Sequence, residues 1–197
     1  MLLIQHDPYL SAYLASDEAV DHDHPRVRET AARLGAAGVD AYVYAEAAYT
    51  YVRDTIAHSG DADDPRVTWR ASDVLEQRTG ICYAKAHALT SLLRAASIPA
   101  ALCYQRLTDD DGTNPAVHGL VALRLPGQER WARQDPRGNK PGVDARFSLD
   151  DERPAWVPRP ERGEVDYPDL YAAPHPSVLN ALRTARDRAG LRLPTAL

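Results

Sequence analysis

The sequence predicts an α+β domain in which amino-terminal helices pack on an antiparallel β-sheet. Three observations carry this. Apolar residues recur at helical spacing between Pro25 and Leu93. The rhythm then changes to alternation, in three runs between Ala100 and Asp135 separated by turn residues. Beyond that point regular patterning fades: eight of the fifteen prolines lie between Pro136 and Pro176. Helices first and a meander of strands afterwards is the arrangement of an α+β fold.

Each element has its own signals. Pro8 to Leu14 reads as a short strand or turn, and Asp21-His22-Asp23-His24 as a polar hinge in preference to a metal site. Pro25 suits the first helical position, with Val27, Ala31 and Leu34 on one face and Gly35 or Gly38 as the stop, so residues 25–35 form a first helix. Asp40 caps a second helix reaching about Ala57, whose inner face is Ala45, Ala48, Tyr49, Val52 and Ile56. The acidic loop Gly60 to Pro65 lacks the spacing of a calcium loop and is read as a turn. Ala71 to Gln77 makes a short helix leading into the one that begins at Cys82 and ends before Ile98-Pro99. The strands are Ala100 to Leu107, Val117 to Leu125 and Arg130 to Asp135. Residues 1–137 form the core. Residues 138–197 add a Pro-rich extended segment, with Trp156, Tyr167 and Tyr171 as anchors, and a closing helix from Ser177 to Ala189 with Val178, Leu182 and Ala185 inside.

Composition narrows the function. The 197 residues carry 23 basic and 28 acidic side chains, a formal charge of −5, and no long basic run. That argues against a nucleic-acid or anionic-membrane surface. No apolar stretch approaches the ~20 residues of a membrane span, and Met1 to Ile4 is too short for the core of an export signal. Two cysteines in such a chain point to a reducing cytoplasm and to free thiols. No cofactor or metal is expected.

The stretch around which the chemistry is organised is Arg78-Thr79-Gly80-Ile81-Cys82-Tyr83-Ala84-Lys85-Ala86. Gly80 is a loop residue, and the apolar rhythm Cys82, Ala86, Leu89, Leu93 places Cys82 in the first turn of a helix. Free N–H groups and the positive end of the helix dipole favour thiolate there, and thiolate is the nucleophilic form. The plainer reading is a small buried residue, since free cysteine is often buried. His118 and Asp135 decide between them. If the turn at Pro126-Gly127 holds two residues, paired positions sum to 253 and His118 faces Asp135; if it holds four, they sum to 255 and Asp135 is the diagonal neighbour. Either even length puts both on one face of the hairpin, whereas a three-residue loop would separate them. Asp135 would then fix the His118 tautomer, and His118 would exchange a proton with Cys82 and a leaving amine.

Taken together these residues resemble the transglutaminase-like superfamily. The resemblance rests on Gly80-Ile81-Cys82, on Leu92-Leu93-Arg94-Ala95-Ala96-Ser97-Ile98-Pro99-Ala100, on His118-Gly119 heading a strand, and on Trp131 to Asp135-Pro136. The intervals of 36 and 17 residues between Cys82, His118 and Asp135 fit the family, and the likeness covers about residues 41–137. It implies a papain-like fold, a triad of Cys82, His118 and Asp135, and reaction of an amide or acyl bond through a Cys82 thioester. Peptidases, amidases and acyl transferases to amines all belong to the family, so the substrate is expected to be a peptide, a protein or a small amide. Gly119 stands where many relatives carry an aromatic, and the Pro-rich segment has no counterpart in the family core.

For the oxyanion, the Cys82 backbone N–H is the natural donor, with Trp69, Gln77 and Gln105 as side-chain candidates. Lys85 and His87 do not face Cys82 squarely and are read as solvated or rim residues; Cys103 is read as core. Two rival readings are carried. An arylamine-acetyltransferase-like enzyme shares the logic, but the Arg-Gly-Gly run expected before the cysteine is missing. A catalytically silent binding module would keep the fold without a reactive thiol.

Overall fold

The computed structural model describes residues 1–35 and 38–197. In chain order its elements are β1 (Ile4–Gln5), α1 (Pro25–Arg33), α2 (Ala41–Thr55), β2 (Ala57–His58), α3 (Ala71–Gln77), β3 (Thr79–Gly80), α4 (Cys82–Ala95), β4 (Ala100–Leu107), β5 (Ala116–Leu123), β6 (Ala132–Gln134), β7 (Val165–Asp166), β8 (Asp169–Leu170) and α5 (Pro176–Thr184). This is the α+β, papain-like architecture expected. The main sheet is antiparallel with strand order β6-β5-β4-β7. Two short parallel ladders, β1–β8 and β2–β3, clip distant segments together. No helix among the described residues is long and apolar enough to cross a membrane.

Local chemistry explains the boundaries. His24 caps α1 by accepting from Arg26 N at 3.2 Å, Pro25 takes the first helical position, and the chain turns at Gly35 with φ +95°. Asp40 caps α2 by accepting from Tyr42 N at 2.8 Å, and Tyr44, Ala45, Ala48, Tyr49 and Val52 form its buried face. In the hinge, Asp21 accepts from Ser72 N and Ser72 Oγ at the start of α3, while Asp23 pairs with Arg28. The loop aspartates are likewise taken up by cations: Asp61 by Arg137 and Lys140, Asp63 by Arg188, Asp64 by Arg66. The closing helix stops at Thr184, five residues before Ala189, because Ala185 turns to extended backbone with ψ 128°. Val178 and Leu182 are buried as the pattern implied.

The helix α4 is the centre of the molecule, buried from Cys82 to Arg94 with helices on one side and the sheet on the other. This corrects the reading of Lys85 and His87 as solvated or rim residues. Lys85 is fully buried: its ammonium donates to the carbonyls of Ile56 and, at 3.1 Å, Arg53, satisfying the carbonyl end of α2. His87 is 1% exposed and donates from Nδ1 to the Trp69 carbonyl at 2.7 Å. Arg94, also buried, donates to the Ala100 and Ala172 carbonyls and so ties the Pro-rich segment to the core. Each polar group is affordable inside because a backbone carbonyl meets it.

The sheet separates two apolar clusters. Leu102, Tyr104, Val117, Val121 and Leu123 face the helices, together with Leu89, Leu92 and Leu93. Ala101, Cys103, Leu120 and Ala122 face Tyr13, Trp131 and Leu170 on the other side. The β5–β6 ladder pairs Val121 with Gln134 and Leu123 with Ala132, a register summing to 255. Of the two even alternatives, the four-residue one is realised, and His118 and Asp135 share a face as diagonal neighbours. β6 ends at Gln134, so the edge of β5 around Val117 is left open by the ladder. Two groups fill it: Val117 N donates to the Pro194 carbonyl at 2.8 Å, and the Tyr83 hydroxyl from α4 donates to the Val117 carbonyl.

Candidate active site

Three pieces of backbone converge on one cavity of about 510 Å³. The first is the start of α4. Gly80 is needed there for close approach: a Cβ would stand 2.8 Å from Ala84 Cβ and 3.0 Å from Thr68 Oγ1. With Gly80 packed that tightly, Cys82 begins the helix and its thiol lines the cavity at 6% exposure. The Cys82 N–H, in the first turn, has no partner within the helix.

The second piece is the β5–β6 hairpin. His118 Nε2 lies 2.9 Å from Asp135 Oδ2. Asp135 has no exposure, and its carboxylate is saturated: Oδ2 also accepts from Ala155 N at 2.8 Å, and Oδ1 from Arg137 N at 3.0 Å. Burial would raise this carboxyl, but His118 and the two backbone N–H groups hold it below the usual carboxylate range. Gly119, next in the strand, is fixed by its packing. A Cβ on it would lie 2.8 Å from Tyr83 Cδ1, so glycine lets the Tyr83 ring pack against β5 while its hydroxyl reaches the Val117 carbonyl.

The third piece is the Pro-rich segment, which lines the cavity with Trp156, Val157, Arg159 and Glu164. Trp156 meets His118 edge-on at 5.4 Å between ring centres, and the Arg137 guanidinium stacks on its indole at 4.9 Å. Leu193, from beyond α5, and Leu107, Ala116 and Val117 complete an apolar wall. Trp156 therefore does more than anchor the segment.

The electrostatics of the two central groups run in opposite directions. Burial would raise the Cys82 thiol, yet the neighbouring His118 imidazolium, helped by His58, brings it down to about 6. Burial would lower His118, yet Asp135 and the Cys82 thiolate raise it to about 10. Around neutrality these two values make the resting pair thiolate and imidazolium.

Of the remaining sequence candidates, none lines this cavity. Trp69 is half-buried, with the guanidinium groups of Arg70 and Arg183 at 4.6 and 5.5 Å from its ring. Gln77 is exposed at the end of α3. Gln105 is fully buried in β4 directly across from His118, and neither side-chain atom has a hydrogen-bond partner. Two residues that sequence reasoning passed over do line it: His58 and Arg137. His58 arrives through the two-residue β2–β3 ladder, which pairs it with Gly80. So short a ladder has no periodic signature, and a lone histidine after a helix carries no motif.

An α+β fold with a thiol at a helix start, beside a histidine hydrogen-bonded to an aspartate on neighbouring strands, has the architecture of the papain-like cysteine enzymes. The chain belongs to the transglutaminase-like superfamily, whose family model matches residues 28–136, more than half of its length. Among solved structures it is similar to a candidate cysteine protease from Cytophaga hutchinsonii, at 20% identity and a TM-score of 0.53 over 66% of this chain and 43% of that one. It is also similar to the periplasmic domain of TgpA from Pseudomonas aeruginosa, at 25% identity and a TM-score of 0.48 over 66% and 47% of the two chains. The chain thus spans less than half the length of these two structures. A search of curated proteins finds no significant match.

Proposed function

We propose that this protein is a cysteine enzyme that cleaves an amide or related acyl bond through a thioester on Cys82. The observation that carries this is the 2.9 Å His118–Asp135 hydrogen bond, buried at a cavity that Cys82 also lines. The Cys82 thiolate attacks the carbonyl carbon, forming a C–S bond and placing the electron pair on oxygen. The oxyanion collapses, the C–N bond breaks, and the His118 imidazolium protonates the departing amine. His118, now neutral, takes a proton from water or from a second amine, whose attack on the thioester releases Cys82 as thiolate. Asp135 holds the imidazole in one orientation throughout and does not itself receive the proton.

The wall of Leu107, Val117, Trp156, Val157 and Leu193 suits an uncharged apolar side chain next to the bond cleaved. The cations at the rim are occupied by carboxylates, Arg159 by Glu164 and Asp110 and Arg137 by Asp61, while Asp109 accepts from Asn114. We therefore favour a peptide, protein or small amide bearing an apolar acyl part over one recognised by its own charge. The test is intact mass spectrometry after incubation with a library of amides and activated esters. A stoichiometric acyl adduct that maps to Cys82 and is lost in Cys82→Ala is expected. A protein unmodified by every member, whose thiol alkylates no faster than a free cysteine, would instead be a binding module on this fold.

A further inference from the structure

A second imidazole faces Cys82. His58 lines the same cavity as Cys82 and His118, from a different element, and its place relative to the thiol is set by backbone. Ala57 N donates to Arg78 O at 3.0 Å and Ser59 N to Gly80 O at 3.1 Å, so His58 is bound between two bonds to the residues that lead into Cys82. Its ring is oriented from behind. Nδ1 is buried with no hydrogen-bond partner, 3.7 Å from Asp61 Oδ2, and lies with Cε1 on the side of Gly60. Of the two ring nitrogens, Nε2 is the one left for the cavity.

Asp61 is in turn immobilised. Arg137 donates to both of its oxygens, at 2.5 and 2.9 Å, and Lys140 to Oδ1 at 2.9 Å. Arg137 also gives its backbone N–H to Asp135. A single residue thereby connects Asp61, which faces His58, with Asp135, which binds His118. His118 is committed to proton transfer, which leaves the developing oxyanion with the Cys82 N–H and one vacancy for a side-chain donor.

We propose that His58 fills that vacancy, donating from Nε2–H to the carbonyl oxygen as it becomes an oxyanion. Asp61, 3.7 Å from Nδ1, is the counter-charge to a ring that carries a proton on both nitrogens, and Arg137 keeps Asp61 in register with Asp135. In this step the C–S bond forms, the carbonyl π pair moves to oxygen, and no proton changes hands at His58. Asp61 and Arg137 are positioning residues; His58 touches the reacting atoms. The inference rests on the Cys82 thioester reading and deepens it.

The experiment uses p-nitrophenyl butyrate as acyl donor and iodoacetamide as alkylating agent, on wild type, His58→Phe and His58→Gln. Alkylation forms no oxyanion, and at pH 9 the thiol is ionised in every variant. His58→Phe is expected to slow acylation of Cys82 by about 10²–10³-fold, the effect of removing one oxyanion donor. KM should change little, and alkylation at pH 9 should stay within about threefold of wild type. His58→Gln, which keeps a side-chain N–H, should recover at least about tenfold of the acylation rate, and this variant also guards against a folding defect in the phenylalanine one. Acylation at the wild-type rate in both variants would overturn the role of His58 while leaving the thioester intact. Alkylation slowed as much as acylation would overturn it too, by assigning His58 to the thiol or the fold. A wild-type protein that is never acylated would overturn the thioester reading and this inference together.

Discussion

The two cysteines of this chain make a controlled comparison. Both are free, both are buried, at 6% and 0% exposure, and both touch the same sheet. Burial disfavours thiolate at both, yet the outcomes diverge: Cys82 comes down to about 6, and Cys103 goes up to about 12. Cys82 sits at a helix start between two imidazoles. Cys103 sits mid-strand among Tyr13, Leu120 and Trp131, and the cation near it, Arg133, is already bound by Glu152 and Asp166. Burial alone therefore says nothing about reactivity. What decides is whether the cation beside the sulfur also gives it a hydrogen bond: His118 binds one carboxylate and still reaches the Cys82 thiolate, whereas Arg133 is taken up by two carboxylates.

The comparison breaks most readily under alkylation. At pH 7 the Cys82 peptide should be labelled by iodoacetamide at least ~10³-fold faster than the Cys103 peptide, since nearly all of one thiol and almost none of the other is ionised. Peptide mapping of a time course reads this directly, and comparable rates at the two sites would end the argument. Next in size, His118→Ala removes the charge that separates them. The alkylation midpoint of Cys82 should rise from about 6 towards the ~8.5 of a free thiol, cutting the rate at pH 6.5 by roughly 10²-fold. Asp135→Asn leaves the imidazole in place but less held, so a shift of about a third to a half of that is expected in the same assay.

A gentler test alters no titratable group. Gly119→Ala places a Cβ 2.8 Å from the Tyr83 ring, one residue from each of Cys82 and His118. Urea denaturation should show a loss of about 1–3 kcal/mol, as overpacking of this size costs. Alkylation of Cys82 should lose pH dependence only insofar as Tyr83 drags the start of α4 away from β5. The smallest effect belongs to Cys103. Its folded value of about 12 lies above that of an unfolded thiol, so above pH ~8.5 the unfolded chain releases a proton that the folded one keeps. Stability from this group is complete below pH ~8.5 and falls as pH rises, by up to about 1.4 kcal/mol per pH unit. Comparing wild type with Cys103→Ala at pH 8 and pH 9.5, the wild type should lose about 1 kcal/mol more; equal losses would place Cys103 in a wetter site than its sheet face provides.

Much of this molecule is determined by local sequence. The period of 3.6 marks α1, α2 and α4, and the period of 2 marks β4 and β5. Because strand side chains alternate, an even turn at Pro126-Gly127 was enough to put His118 and Asp135 on one face, whichever of the two registers formed. The Gly-x-Cys step placed the thiol at a helix start. Periodicity does not reach further than the element that carries it. Lys85 looks solvated along the chain and is buried, because the carbonyls that receive its ammonium belong to the end of α2, thirty residues away in sequence. The 3.7 Å approach of His58 to Asp61, and its pairing with Gly80, depend on a ladder two residues long. Trp156 reaches His118 only because Ala155 N binds Asp135 and draws the Pro-rich segment over the cavity. A buried charge or a second imidazole becomes tolerable when a partner arrives from a distant part of the chain, and that arrival is settled by packing in three dimensions, not by any pattern along one.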